Sequence, residues 1–135
     1  MLNKSFPDWD DLYKSQDVEL MPWYNQKMDL DLEVALKGFG VTHGQFLDLG
    51  TGPATQPSEL DRRGFHVTGS DISENSIKKA HESFGNNNPK IRLIKDDILN
   101  TLFKRYEFDF IFDRGCFHIL SVEKRKTYVK TIGKY

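Results

Sequence analysis

The chain has 135 residues, 38% of them apolar and 13% aromatic, which is enough for one core and too little for two ordinary domains. Lys and Arg total 19 against 20 Asp and Glu, a formal charge of -1, so the charge balance favours neither nucleic acid nor an anionic membrane as partner. The single cysteine, Cys116, excludes an internal disulfide and a cysteine-pair metal site, and with no long apolar run the sequence reads as that of a soluble cytoplasmic protein.

The start, Met1-Leu-Asn-Lys-Ser-Phe-Pro, lacks the apolar stretch of a signal peptide. Trp9, Leu12 and Tyr13 then share one face of a helix predicted over residues 8–15, with Asp8, Asp10 and Asp11 favourable in its first turn. Met21-Pro22-Trp23-Tyr24 breaks that pattern, and a second helix runs from Asp29 to Leu36, stopping near Gly38 and Gly40. After residue 40 strands and helices alternate. Gln45-Phe-Leu-Asp48 is a buried strand, and residues 54–63 are a helix that tolerates Pro57 only in its first turn. Phe65–Ser70 is the second strand. Ser73 caps a helix whose Ile77, Ala80, His81 and Phe84 lie together, ending at Gly85 before the polar loop Asn86-Asn-Asn-Pro89. Ile91–Ile94 and Phe108–Phe112 are strands three and four, and a last helix opens at Ser121 and closes near Gly133. Such alternation implies an α/β protein with a doubly wound, Rossmann-like parallel sheet.

Ligands of such sheets bind beyond the carboxyl ends of the strands. Behind strand one stands Asp48-Leu-Gly50-Thr-Gly52-Pro-Ala54-Thr55, whose glycines permit a sharp turn and a close backbone approach. A dinucleotide fingerprint would need glycine where Thr55 stands. Asp48 would also repel a pyrophosphate and attract an ammonium or sulfonium group. S-adenosylmethionine carries both cations and no phosphate. Asp71 ends strand two at the distance from Gly50 at which such folds place a ribose-binding carboxylate; the alternative is that it caps the next helix. Removing it is expected to weaken binding with little effect on folding, since Ser73 supplies the cap. Ile72 offers an apolar face to adenine, and Asp96 or Asp97 an acceptor for its amino group, unless they form a solvated acidic turn. Asp113 and Arg114, at the end of strand four, either pair with each other or face ligand and substrate.

Phe46-Leu-Asp-Leu-Gly-Thr-Gly-Pro, Val67-Thr-Gly-Ser-Asp-Ile-Ser and Phe110-Ile-Phe-Asp-Arg-Gly-Cys-Phe-His together resemble the class I S-adenosylmethionine-dependent methyltransferases. Asp113-Arg114-Gly115 and Pro22-Trp23 resemble the thiopurine methyltransferase-like branch. The resemblance implies the sheet order 3-2-1-4, residues 1–40 as a helical lid, and residues 41–135 as an α/β core of one domain, incomplete at its C-terminal end. It places Asp48, Gly50, Thr51 and Gly52 against the methionine part of the cofactor and Asp71 on the ribose. Ile72 and Ile98 take the adenine faces, with Asp97 near the amino group and Trp23 closing over the cofactor. Two features depart from the family pattern: Ala54 replaces a common glycine, and the chain stops before the family's remaining strands. Strand four is therefore expected to seek a partner, either a second copy or the missing strands of a longer protein.

The expected function is methyl transfer to a small-molecule nucleophile. A thiol acceptor needs no base; for a hydroxyl or amine, His118 or Asp113 is the nearest candidate. Cys116 has no base paired with it and reads as a small buried hydrophobe, and the four histidines show no metal spacing. Two other classes remain open: a remnant that holds the cofactor without turnover, and a nicotinamide-dependent oxidoreductase, disfavoured by Asp48 and Thr55.

Overall fold

Short apolar runs bounded by glycine build the middle layer of the molecule. The computed structural model describes residues 8–85 and 90–135. The start Met1–Pro7, the expected loop Asn86–Pro89 and the Phe84 side chain lie outside the described residues. Four strands, β1 (Gln45–Leu49), β2 (His66–Asp71), β3 (Arg92–Lys95) and β4 (Phe110–Asp113), form one sheet in the order β3-β2-β1-β4 with every pair parallel. β1 and β2 each begin with an exposed residue and are buried thereafter, because helices cover both faces of the sheet. The chain winds outward from β1 to β3 and returns to β4, so the switch point that opens a crevice lies between β1 and β4.

On one face Phe46, Val67 and Phe110 pack with Phe65 and Leu60 against the helices α2 (Leu30–Gly38) and α3 (Thr55–Arg62). The Phe46 ring lies 5.5 Å from that of Phe65 and 5.7 Å from that of Phe110. The helix α4 (Glu74–Ala80) adds Ile77 and Ala80 against Ala54, Ile91 and Leu93. On the other face Leu47, Leu49 and Ile111 meet Tyr128 and Ile132 of α5 (Val122–Ile132). No helix among the described residues is long and apolar enough to cross a membrane.

Local chemistry sets the ends. Asp29 caps α2 by accepting from the Asp31 and Leu32 amides, and Ser73 caps α4 by accepting from that of Ser76. β4 starts two residues later than predicted. The Asp109 amide still donates to the Gln45 carbonyl, but the Phe108 amide turns to the Tyr135 carbonyl and leaves the ladder. The helix expected to run to Gly85 is α-helical only to Ala80 and widens into one π turn, His81–Gly85.

The N-terminal helix α1 (Trp9–Ser15) packs on α4 through a charged fork. Asp10, read from sequence only as a favourable first-turn acid, accepts hydrogen bonds from the Ser73 hydroxyl and from the Asn75 amide and side chain, each at 2.9 Å. That fork brings Trp9 and Tyr13 to the carboxyl ends of the strands.

Candidate active site

A cavity of about 640 Å³ opens at the carboxyl ends of the four strands, a size suited to a small organic ligand. Its floor is the turn after β1. Gly50 and Gly52 have φ of 67° and 53°, and a Cβ added to them would come within 2.4 Å of Cys116 Sγ and 2.9 Å of Tyr13 Oη, so both positions require glycine. Ala54 also adopts the left-handed conformation, at φ 62°, which places strain at the start of α3.

Asp71 holds this floor. One of its oxygens accepts from the Gly52 amide at 3.1 Å and the other from the Ser73 amide at 3.0 Å. The two alternatives left open by sequence therefore meet in one side chain, which supports the start of α4, lines the cavity and keeps further lone pairs for a ligand hydroxyl. Burial pushes its carboxyl up, against the pull of the amide hydrogen bonds. The expectation that Asp71 matters little for folding is corrected by this geometry, because its loss would strand two buried amides.

Asp48 is 4% exposed, and the Thr51 hydroxyl donates to it at 2.7 Å. Burial pushes its carboxyl up to about 7, with the nearby charges of Asp71 and Asp113 adding to the rise. A cationic group beside it would favour the ionised form again.

The loop after β3 lines the same cavity with Asp96, Asp97 and Ile98, as does Ile72 from the loop after β2. Asp97 Oδ1 accepts from the Leu99 amide and Asp96 Oδ1 from that of Leu102, which leaves Asp96 Oδ2 buried without a partner among the described residues. An unpaired buried acceptor fits the donor edge of a nucleobase.

Asp113, expected as a ligand contact or base, is corrected by the structure. Its carboxylate turns into its own loop, accepting from the Cys116 amide at 2.7 Å, the Phe117 amide at 3.1 Å and the Tyr128 hydroxyl, and it is absent from the cavity wall. It does not pair with Arg114, whose guanidinium donates to the Trp23 carbonyl at 3.3 Å and lies 3.6 Å from Asp29. His118 does line the cavity, as do Cys116 and Lys124.

The roof comes from the N-terminal segment. Trp23 stands edge to face with Trp9 at 5.7 Å, and its indole donates to Tyr13 Oη at 3.2 Å. Gln56 fastens the following segment by accepting from the Asp29 amide at 2.8 Å and donating to the Lys27 carbonyl at 3.3 Å. Arg114, one of whose alternatives in sequence is to face the ligand, lines the cavity. Tyr13, Thr55 and Gln56 belong to the site although the sequence assigns them no cofactor contact; for Tyr13 the helical spacing from Trp9 is the available signal.

A parallel sheet ordered 3-2-1-4, with a glycine turn after β1 and an acid ending β2, is a Rossmann-like fold. The model of the methyltransferase domain family matches residues 46–135, and the chain belongs to that family. An uncharacterized methyltransferase of Schizosaccharomyces pombe is 28% identical over 94 residues, covering 70% of this chain and 65% of its own. Another from the same yeast is 32% identical over 79 residues, covering 58% and 54%. Among solved structures, one from a study of the conversion of a disulfide bond into a thioacetal group in echinomycin biosynthesis superposes with a TM-score of 0.80 at 24% identity, over 93% of this chain and 53% of that one. A TehB-like S-adenosylmethionine-dependent methyltransferase from Corynebacterium glutamicum gives 0.64 at 23%, over 78% and 56%. A Burkholderia thailandensis N-methyltransferase with bound S-adenosylhomocysteine gives 0.62 at 20%, over 78% and 45%. The chain therefore spans less than two thirds of each of these proteins.

Two outcomes are expected. Asp71→Ala should lower unfolding stability by about 2 kcal/mol or more, the cost of unpaired buried amides. Urea unfolding checks this, and an unchanged midpoint contradicts the bridging role. The raised carboxyl of Asp48 contributes stability that is full below its unfolded value of 3.8 and lost as pH rises through about 7. Asp48→Asn should therefore gain on the wild type with rising pH, at up to about 1.4 kcal/mol per pH unit between about pH 5 and pH 7. Parallel stability profiles would contradict it.

Proposed function

We propose that this chain binds S-adenosylmethionine in the cavity and transfers its methyl group to a small-molecule nucleophile. The observation that carries the reading is the wall of carboxylates, Asp48, Asp71, Asp96 and Asp97, around a glycine floor in a member of the methyltransferase domain family. Bound there, S-adenosylmethionine supplies a methyl group made electrophilic by a positively charged sulfur, and the sulfur keeps the bonding electron pair when the methyl leaves. Asp48 attracts the ammonium of the amino-acid part, Asp71 accepts from the ribose hydroxyls, and Ile72 and Ile98 enclose adenine, whose amino group meets the free acceptor of Asp96 or that of Asp97.

Trp9, Tyr13 and Trp23 exclude water and present aromatic faces to a cation, an attraction of about 0.5–2 kcal/mol. The acceptor enters on the β4 side, past Arg114 and His118. Burial pushes the Tyr13 hydroxyl up to about 12 and raises the Cys116 thiol and the Tyr128 hydroxyl as well, so all three stay protonated at neutral pH. His118 is thus the group on that side able to take a proton at a ring nitrogen, and an acceptor that ionises by itself dispenses with it. The Asp113-Arg114-Gly115 triplet and Pro22-Trp23 support a place in the thiopurine methyltransferase-like branch. A cavity of this size and a formal charge of -1 support a small acceptor rather than nucleic acid.

Calorimetric titration of the pure chain tests the reading. Saturable binding of S-adenosylhomocysteine with no response to NAD is expected, because four carboxylates oppose a pyrophosphate. Saturable NAD binding without a response to S-adenosylhomocysteine would overturn it.

A further inference from the structure

The first turn of α3 enters the cavity without a cap. Its N-cap residue, Ala54, offers no side-chain acceptor, and the Ala54 amide is already spent on the Thr51 carbonyl at 3.0 Å. Pro57 has no amide hydrogen, so among the described residues the open donors at this helix start are the amides of Thr55 and Gln56. A second and independent feature lies at the same spot. Thr55 is 6% exposed and lines the cavity, and its Oγ1 has no hydrogen-bond partner among the described residues. A buried hydroxyl without a partner destabilises the free protein, whereas the partial positive charge of the helix start and an unused O–H donor together suit an anion.

Asp48 decides which anion. A carboxylate with an ammonium beside it satisfies both Asp48 and the helix start, while a pyrophosphate satisfies only the helix. Gln56 contributes its amide alone, because its side chain is fastened to Lys27 and Asp29. Arg114, one of the cationic side chains of the cavity wall, is occupied by the Trp23 carbonyl and Asp29.

We propose that the Thr55 hydroxyl and the Thr55 and Gln56 amides form the carboxylate subsite for the amino-acid part of the cofactor, with Thr55 reading the difference between a zwitterionic and a merely cationic tail. This rests on the S-adenosylmethionine reading above.

Thr55→Val tests it, because valine keeps the shape and removes a hydroxyl that has no partner in the free protein. Calorimetry would compare S-adenosylhomocysteine with its decarboxylated analogue. The variant should bind S-adenosylhomocysteine about tenfold or more weakly, the worth of a hydrogen bond to a charged group. Its affinity for the decarboxylated analogue should match that of the wild type, and its melting temperature should be equal or higher. Thr55→Ser, which keeps the hydroxyl, should bind S-adenosylhomocysteine like the wild type. If Thr55→Val weakens both ligands alike, or neither, the subsite is wrong while the cofactor reading stands. Discrimination lost in Arg114→Met and kept in Thr55→Val would move the carboxylate to the β4 end and likewise overturn the proposal. A wild type indifferent to S-adenosylhomocysteine would overturn the reading of the whole cavity and this subsite with it.

Discussion

The site depends on one buried carboxylate that joins two loops. Asp71 receives the amide of the glycine turn after β1 on one oxygen and the amide that opens the α4 cap on the other. Main-chain pairing continues from it in both directions, from the Thr51 amide to the Ser70 carbonyl at 2.9 Å and from the Asp96 amide to the Asp71 carbonyl at 3.0 Å. Three loops that would otherwise splay apart at the strand ends are thereby locked side by side. The arrangement concentrates acids, because Asp48 and Asp71 are both buried at the ends of adjacent strands; burial raises both carboxyls, and the charges of Asp71 and Asp113 add to the rise at Asp48. A positive charge placed beside these two carboxyls would favour their ionised forms.

The roof is held by different means. Gln56 and Arg114 grip backbone groups of the Trp23–Asp29 segment, and Asp10 grips the start of α4. These contacts are polar and join residues far apart in the chain, so the roof is tied to the sheet without being part of its apolar core. Tyr13 is the exception. It is 4% exposed, its hydroxyl lies against the glycine floor, and it carries the Trp23 indole.

The order of strands and helices was legible because each signal is local: an apolar run, a glycine stop, a Ser or Asp cap. The glycine floor and Asp71 were legible for the same reason, their spacing along the chain being their spacing around one turn of the fold. Thr55 and Gln56 were not, since a polar residue on the buried side of a short helix follows no periodic rule and takes its meaning from partners almost thirty residues away or from a ligand. Tyr13 read as one side of an amphipathic stripe, and the surface it meets is the cavity. Asp113 was misjudged because a strand-end carboxylate looks the same in sequence whether it faces the crevice or folds back onto its own loop. Nothing local announces the Cys116 and Phe117 amides and the Tyr128 hydroxyl of α5 that its carboxylate accepts from.

The central claim is that the buried Asp48 carboxyl waits for a positive charge on the bound ligand. Carbon-13 NMR titration of the aspartate carboxyls, with and without S-adenosylhomocysteine, tests it most directly. The Asp48 midpoint should lie near 7 in the free protein and fall by at least about one unit when the ligand is bound, since a neighbouring ammonium favours the ionised form. A midpoint that stays in place at saturating ligand would contradict the account.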